Sequence, residues 1–117
     1  MTALVRILDE TALMKVVGGD RKLAGELAQL FLDDLGSRVT EITAAVEERH
    51  ADRLRAAAHE LRGSAGSLRA GSVTDASGAL ETIASSGSLD GAEQALEVLN
   101  LALASLRPRL AEMTRTA

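Results

Sequence analysis

The sequence predicts an all-α protein, an antiparallel up-down four-helix bundle with a short extra N-terminal helix, on three observations. Ala and Leu supply 40 of the 117 residues, against one Pro and one aromatic, Phe31, a composition that favours helix and starves strands. Apolar residues recur at steps of three and four over four long segments, the mark of helices with one buried face. The stretches between those segments are short, so consecutive helices have to run antiparallel. With 46% hydrophobic residues the chain has material for one core, and residues 1–117 are expected to form a single domain.

The short first helix is expected over residues 9–17, capped by Asp9, with Leu13, Val16 and Val17 turned inward and Gly18-Gly19 ending it. Asp20 then caps a helix reaching about residue 48, whose stripe is Leu23, Leu27, Leu30, Phe31, Leu35, Val39, Ile42 and Val46. Such a helix would be roughly 43 Å long. The next begins near Ala51 or Asp52, buries Leu54, Ala57, Ala58, Leu61, Ala65 and Leu68, and is closed by Gly71. A fourth runs from Ser72 to about Ser85 on Val73, Ala76, Leu80 and Ile83, followed by the polar loop Ser85-Ser86-Gly87-Ser88. The last is expected to start at Asp90, with Glu93 making a capping-box-like start, and to bury Ala92, Leu96, Leu99, Leu103, Leu106 and Leu110. Pro108 should kink or fray its final turns, because Pro removes a backbone donor.

Composition and charge remove several functions. With no Trp, no Tyr and a single Phe there is almost nothing on which to stack bases, and a net charge of −4 opposes binding to a phosphate backbone, so no nucleic-acid partner is expected. The lack of Cys removes disulfides, thiolate nucleophiles and Cys-type metal sites. Two His and scattered carboxylates show no ligand spacing, so neither a metal nor another cofactor is expected. No run approaches the roughly 18 apolar residues of a membrane span, and the first ten residues lack an apolar signal core, which makes a cytoplasmic protein the expectation. No Gly-rich loop with a Lys is present to cradle nucleotide phosphates, so an ATP-using enzyme is not expected.

A bundle performs no chemistry by itself, so the informative residues are those that packing does not explain. His50 falls at a helix junction beside Arg49, Asp52 and Arg53, where a capping or solvated role suffices. His59 is different. With Leu54 as reference on a helical wheel, Ala58, Leu61, Ala65 and Leu68 lie within roughly 40°, whereas His59 lies at about 140° and points outward. Ala56, Gly63, Gly66 and Ala70 share that outer sector, so the imidazole is surrounded by residues with little or no side chain. A mid-helix Gly costs about 1 kcal/mol against Ala, and two of them here point to room kept for a partner's backbone. Residues 49–71 hold five Arg and two acids, a local +3 in a chain of −4. Arg62, one turn after His59, is placed to reach an anion carried by the ring. An imidazole nitrogen is a nucleophile near neutral pH and can carry a phosphoryl group as a phosphoramidate. An outward His, an adjacent cation and a cleared approach together describe a phosphoryl carrier loaded by another molecule.

The run His59-Glu60-Leu61-Arg62-Gly63-Ser64-Ala65-Gly66-Ser67-Leu68 resembles the signature of histidine-containing phosphotransfer (Hpt) domains. Gly18-Gly19-Asp20, Leu30-Phe31-Leu32 with Leu35, and Leu80-Glu81 are similar to the pattern that flanks it, so the resemblance covers nearly the whole chain. It implies a four-helix bundle that accepts a phosphoryl group on His59 from a receiver-domain aspartate and passes it to another receiver, a carrier without autokinase activity. On that resemblance Arg62 replaces the family's Lys beside the phosphoryl group, and Gly63, with Gly66 and Ala56, lets the receiver come close. Arg55, Ser64, Ser67 and Leu32 are the candidates for docking it. The expected partners are response-regulator receiver domains or a hybrid histidine kinase, with the chain itself a monomer. Receiver sites are acidic, which suits an Arg-rich helix. Arg69 stands where the family usually has Gly. Two alternatives remain: a non-phosphorylated helical adaptor, and the dimerising phospho-acceptor helices of a sensor kinase. The latter resemble His59-Glu60-Leu61-Arg62 but usually continue with Thr-Pro, where this chain has Gly63-Ser64.

Overall fold

The computed structural model describes residues 3–116, which form helices α1 (Ala3–Ile7), α2 (Glu10–Val16), α3 (Arg21–Glu47), α4 (Ala51–Ser67), α5 (Gly71–Ser85) and α6 (Ala92–Thr116). No strand occurs among the described residues. The four long helices make the expected antiparallel bundle, with α4 and α6 each packed on both α3 and α5. The molecule is 43 Å along its longest axis, about the length of α3. Among the described residues no helix is long and apolar enough to cross a membrane.

The caps explain where the helices begin. Asp9 Oδ1 accepts from Ala12 N at 3.0 Å and Asp20 Oδ1 from Leu23 N at 3.0 Å, each satisfying a donor that the first turn leaves unpaired. His50 caps α4 in the same way, its Nδ1 accepting from Arg53 N at 3.2 Å. Between α2 and α3, Gly18 and Gly19 take φ +64° and +81°, a turn that other residues adopt only with strain.

The core runs through Phe31, Leu35, Ile42 and Val46 of α3 to Leu54 and Leu61 of α4, Val73 and Leu80 of α5, and the Leu99 to Leu110 stripe of α6. Three residues expected inside are not. Val16 is 53% exposed, Leu23 39% and Leu30 59%. At about 100° per residue, Leu23 and Leu30 sit roughly 120–140° from Leu35, so steps of three and four drifted off the buried face. Val16 is displaced for a simpler reason: α2 is short and turns only Leu13 and Val17 inward.

Four boundaries also differ. An additional helix, α1, precedes α2 and packs on α5 and α6. Its carbonyls are tied down by Arg109, whose guanidinium donates to Leu4 O at 2.9 Å and Leu8 O at 3.3 Å and pairs with Glu10 at 2.6 Å. That clamp and the fully buried Leu110 hold the turns after Pro108, so α6 continues to Thr116 without fraying. Helix α6 starts at Ala92, not Asp90, because Gly91 takes φ +85° and Glu93 turns to Arg49 at 3.1 Å. Gly71 does not close α4 but opens α5, where a Cβ would meet Arg6 O at 3.1 Å, so its bareness lets α1 lie against α5.

Helix α4 instead ends through Arg69, at φ +64°. The left-handed conformation is strained for a residue with a Cβ and free of that strain for Gly. Arg69→Gly is expected to raise the unfolding free energy by about 1 kcal/mol, read as a later urea midpoint at unchanged slope. An earlier midpoint would mean that the lost bond from Arg69 Nη1 to Gly66 O, at 3.2 Å, outweighs the relieved strain.

Candidate functional site

Helices α4 and α5 share the most extensive contact in the bundle, and their short connection fixes the register. Residues equally far from Ala70 on either side come level: His59 with Glu81, Arg62 with Gly78, Gly66 with Thr74. Leu61 and Leu80 are turned fully into the core, which leaves His59 and Glu81 at the rim where the two helices meet.

The His59 side chain is 63% exposed and its Nδ1 lies 2.9 Å from Glu81 Oε2. Glu81 is only 20% exposed, its carboxylate tucked against the rim where α4 meets α5. The other oxygen, Oε1, is buried and meets Arg62 Nε at 2.8 Å, close as an ion pair though not aligned as a hydrogen bond. Arg62 Nη2 lies 3.3 Å from the same Nδ1. A guanidinium only donates and a carboxylate only accepts, so Nδ1 cannot serve both. The shorter contact to the carboxylate assigns the proton to Nδ1, donating to Glu81, with Arg62 as a neighbouring charge. The lone pair is then on Nε2. In outline this is an outward imidazole whose tautomer and orientation are set by a carboxylate on the adjoining helix.

A family model described as Hpt domain matches residues 26–109, a stretch that contains His59, Arg62 and Glu81. The chain belongs to the Hpt domain family. No curated protein and no solved structure gives a significant match. Hpt domains are phosphoryl carriers of histidine phosphorelays, and the helical bundle found here is the architecture that the family implies.

Within this Hpt domain the other expected site residues separate into groups. Gly63 is fully open: a Cβ there would have no atom within 4 Å. Ala56 and Arg55 are also exposed. Gly66 is half-buried and serves the α4–α5 contact, its Cβ position lying 3.9 Å from Thr74 Oγ1, while Ala70 is fully buried at the turn. Ser64 and Ser67 line a cleft of about 220 Å³ between α3 and α4, floored by Leu27, Phe31 and Leu68 and edged by the exposed Leu30 and Asp34. Leu32 is half-buried and packs against the core.

The basic character of α4 is largely balanced by other helices. Arg49 pairs with Glu93, Arg53 with Glu41 and Glu48, and Arg62 with Glu81. Arg55 has no ion-pair partner among the described residues and sits one turn before His59. Glu60 turns to Arg38 on α3 at 3.3 Å, so the acid beside the imidazole is Glu81 and not the sequence neighbour Glu60. Sequence reasoning placed Leu30 on the buried stripe and gave Glu81 no role beside His59, whereas Leu30 is exposed and Glu81 meets the imidazole.

Proposed function

We propose that His59 Nε2 accepts a phosphoryl group from the phosphoaspartate of a receiver domain and returns it to the aspartate of another. The Nε2 lone pair attacks phosphorus, the N–P bond forms, and the P–O bond breaks with its electrons leaving on the donor carboxylate. The ring keeps its Nδ1 proton beside Glu81 and gains positive charge, which makes it a good leaving group when the second carboxylate attacks. Arg62 sets its charge against the developing phosphoryl oxygens. No proton has to move in either direction.

The observation that carries this reading is the 2.9 Å contact between His59 Nδ1 and Glu81, because it leaves the nucleophilic nitrogen on the exposed side of the ring. Docking is proposed over the α3–α4 cleft, with Leu30 as the apolar contact, Ser64 and Ser67 as polar ones, Arg55 facing the acidic receiver and the bare Gly63 under its backbone. The partners in this reading are response-regulator receiver domains or the receiver of a hybrid kinase. The chain acts as one unit over residues 1–117, as a cytoplasmic monomer.

The test is incubation with a receiver domain carrying radiolabelled phosphoaspartate. Acid-labile, base-stable label is expected on the wild-type chain and absent from His59→Ala at matched folding by circular dichroism. Equal labelling of both chains, or labelling of neither across the receivers of the source organism, would overturn the proposal.

A further inference from the structure

We propose that Glu81 and Gly78 form a seat on α5 that holds Arg62 by the Nε side of its guanidinium, turning the outer nitrogens toward the phosphoryl position, and that the site is thereby built for Arg rather than Lys. This rests on the reading of His59 as the phosphoryl acceptor.

Three contacts define the seat. Arg62 Cδ lies 3.4 Å from where a Cβ on Gly78 would be, so the side-chain stem crosses α5 at a residue with no side chain of its own. One turn along α5 from Gly78, Glu81 Oε1 meets Arg62 Nε at 2.8 Å. Arg62 Nη2 then stands 3.3 Å from the His59 ring. A guanidinium spreads five N–H donors over a rigid plane, so its Nε edge can face a carboxylate while Nη1 and Nη2 remain available to an incoming phosphoryl oxygen. A lysine ammonium is a single point of charge. Placed beside a carboxylate that is four-fifths buried, it would be drawn to Glu81 and away from the phosphoryl group. Gly78 and Glu81 are therefore positioning residues: they touch neither phosphorus nor its oxygens, and they act through Arg62, Glu81 also through the His59 Nδ1 it meets.

The experiment is a double-mutant cycle read by the rate of loading with ammonium phosphoramidate, whose P–N bond breaks as the bond to His59 forms and ammonia leaves. Arg62→Lys is expected to slow loading about tenfold when Glu81 is present, and less than about twofold in a Glu81→Ala chain, where Arg and Lys are equally free. The loss of the His59 partner in Glu81→Ala is common to both arms and cancels. Glu81→Gln, which keeps the shape and removes the charge, replaces Glu81→Ala in the cycle should that variant fold poorly. Equal slowing in both backgrounds, or none in either, would overturn the proposal. A separate reading comes from hydrogen exchange at Arg62 Nε followed by nuclear magnetic resonance. The nearby carboxylate repels hydroxide from the Nε–H, so exchange slower in wild type and in His59→Ala than in chains without Glu81 supports the seat, and exchange indifferent to Glu81 overturns it. If His59→Ala loads as fast as wild type, the phosphotransfer reading fails while the exchange arm still decides whether Glu81 holds Arg62.

Discussion

Gly63→Gln is expected to slow phosphoryl transfer from a receiver domain by at least about a hundredfold, since displacing reacting groups by an ångström costs that much. The same change is expected to leave the bundle more stable than wild type. The two effects have opposite signs because Gly63 is a poor choice for the helix and a good one for the surface. In mid-helix it costs about 1 kcal/mol relative to a good helix former. Nothing in the chain requires its bareness, since a Cβ there would have no neighbour within 4 Å. In the proposed transfer the bareness gives clearance one turn from His59, where an added side chain would stand between Nε2 and a docked phosphoaspartate. Time courses of transfer and thermal melts measure the two effects on one sample. Loading by phosphoramidate, a donor small enough to pass the new side chain, should change less than about threefold, which separates obstruction from damage to the nucleophile. Unimpaired transfer from the receiver would remove Gly63 from the approach path.

The outward direction of His59 and the clearance at Gly63 were legible in the sequence because both follow from 100° per residue along one helix. The partner of the imidazole was not. Glu81 comes from another helix, and placing it level with His59 needs the register of the α4–α5 hairpin, which turns about Ala70. The sequence put the end of α4 at Gly71, the residue type that usually takes a positive φ there, whereas the chain spends that conformation on Arg69. With the turn misplaced, the pairs His59 with Glu81 and Arg62 with Gly78 could not be aligned. A similar limit applied to charge. Five Arg against two acids marks residues 49–71 as basic, yet the counter-ions of Arg49, Arg53 and Arg62 come from α6, α3 and α5, so only packing shows that Arg55 and Arg69 are the two without an ion-pair partner among the described residues. The exposure of Leu30 has a related origin, because a stripe read by steps of three and four does not fix which residue sits at its rim.

Leu80 and Glu81 are adjacent in sequence and face opposite environments, and the second large effect follows from that contrast. Leu80→Ala is expected to lower the unfolding free energy by about 3 kcal/mol, the cost of lost burial plus the cavity left behind. Leu80 has 0% exposure and packs in the core that α4 and α5 share with α6. Against a total of about 5–15 kcal/mol for a domain, that is a large fraction. Glu81→Ala should change stability by less than about 1 kcal/mol, since its contacts to His59 and Arg62 are at the rim with half-exposed partners. Function should sort the two variants the other way. Leu80→Ala keeps the Glu81 carboxylate, so below its melting temperature it should load His59 at close to the wild-type rate. Glu81→Ala melts like wild type but loses the group that fixes the Nδ1 proton, and its loading should fall. Urea unfolding and loading at a temperature well below both midpoints give the two orderings. Were Leu80→Ala to lose loading as severely as Glu81→Ala while still folded, the carboxylate's position would depend on core packing rather than on its own contacts with His59 and Arg62.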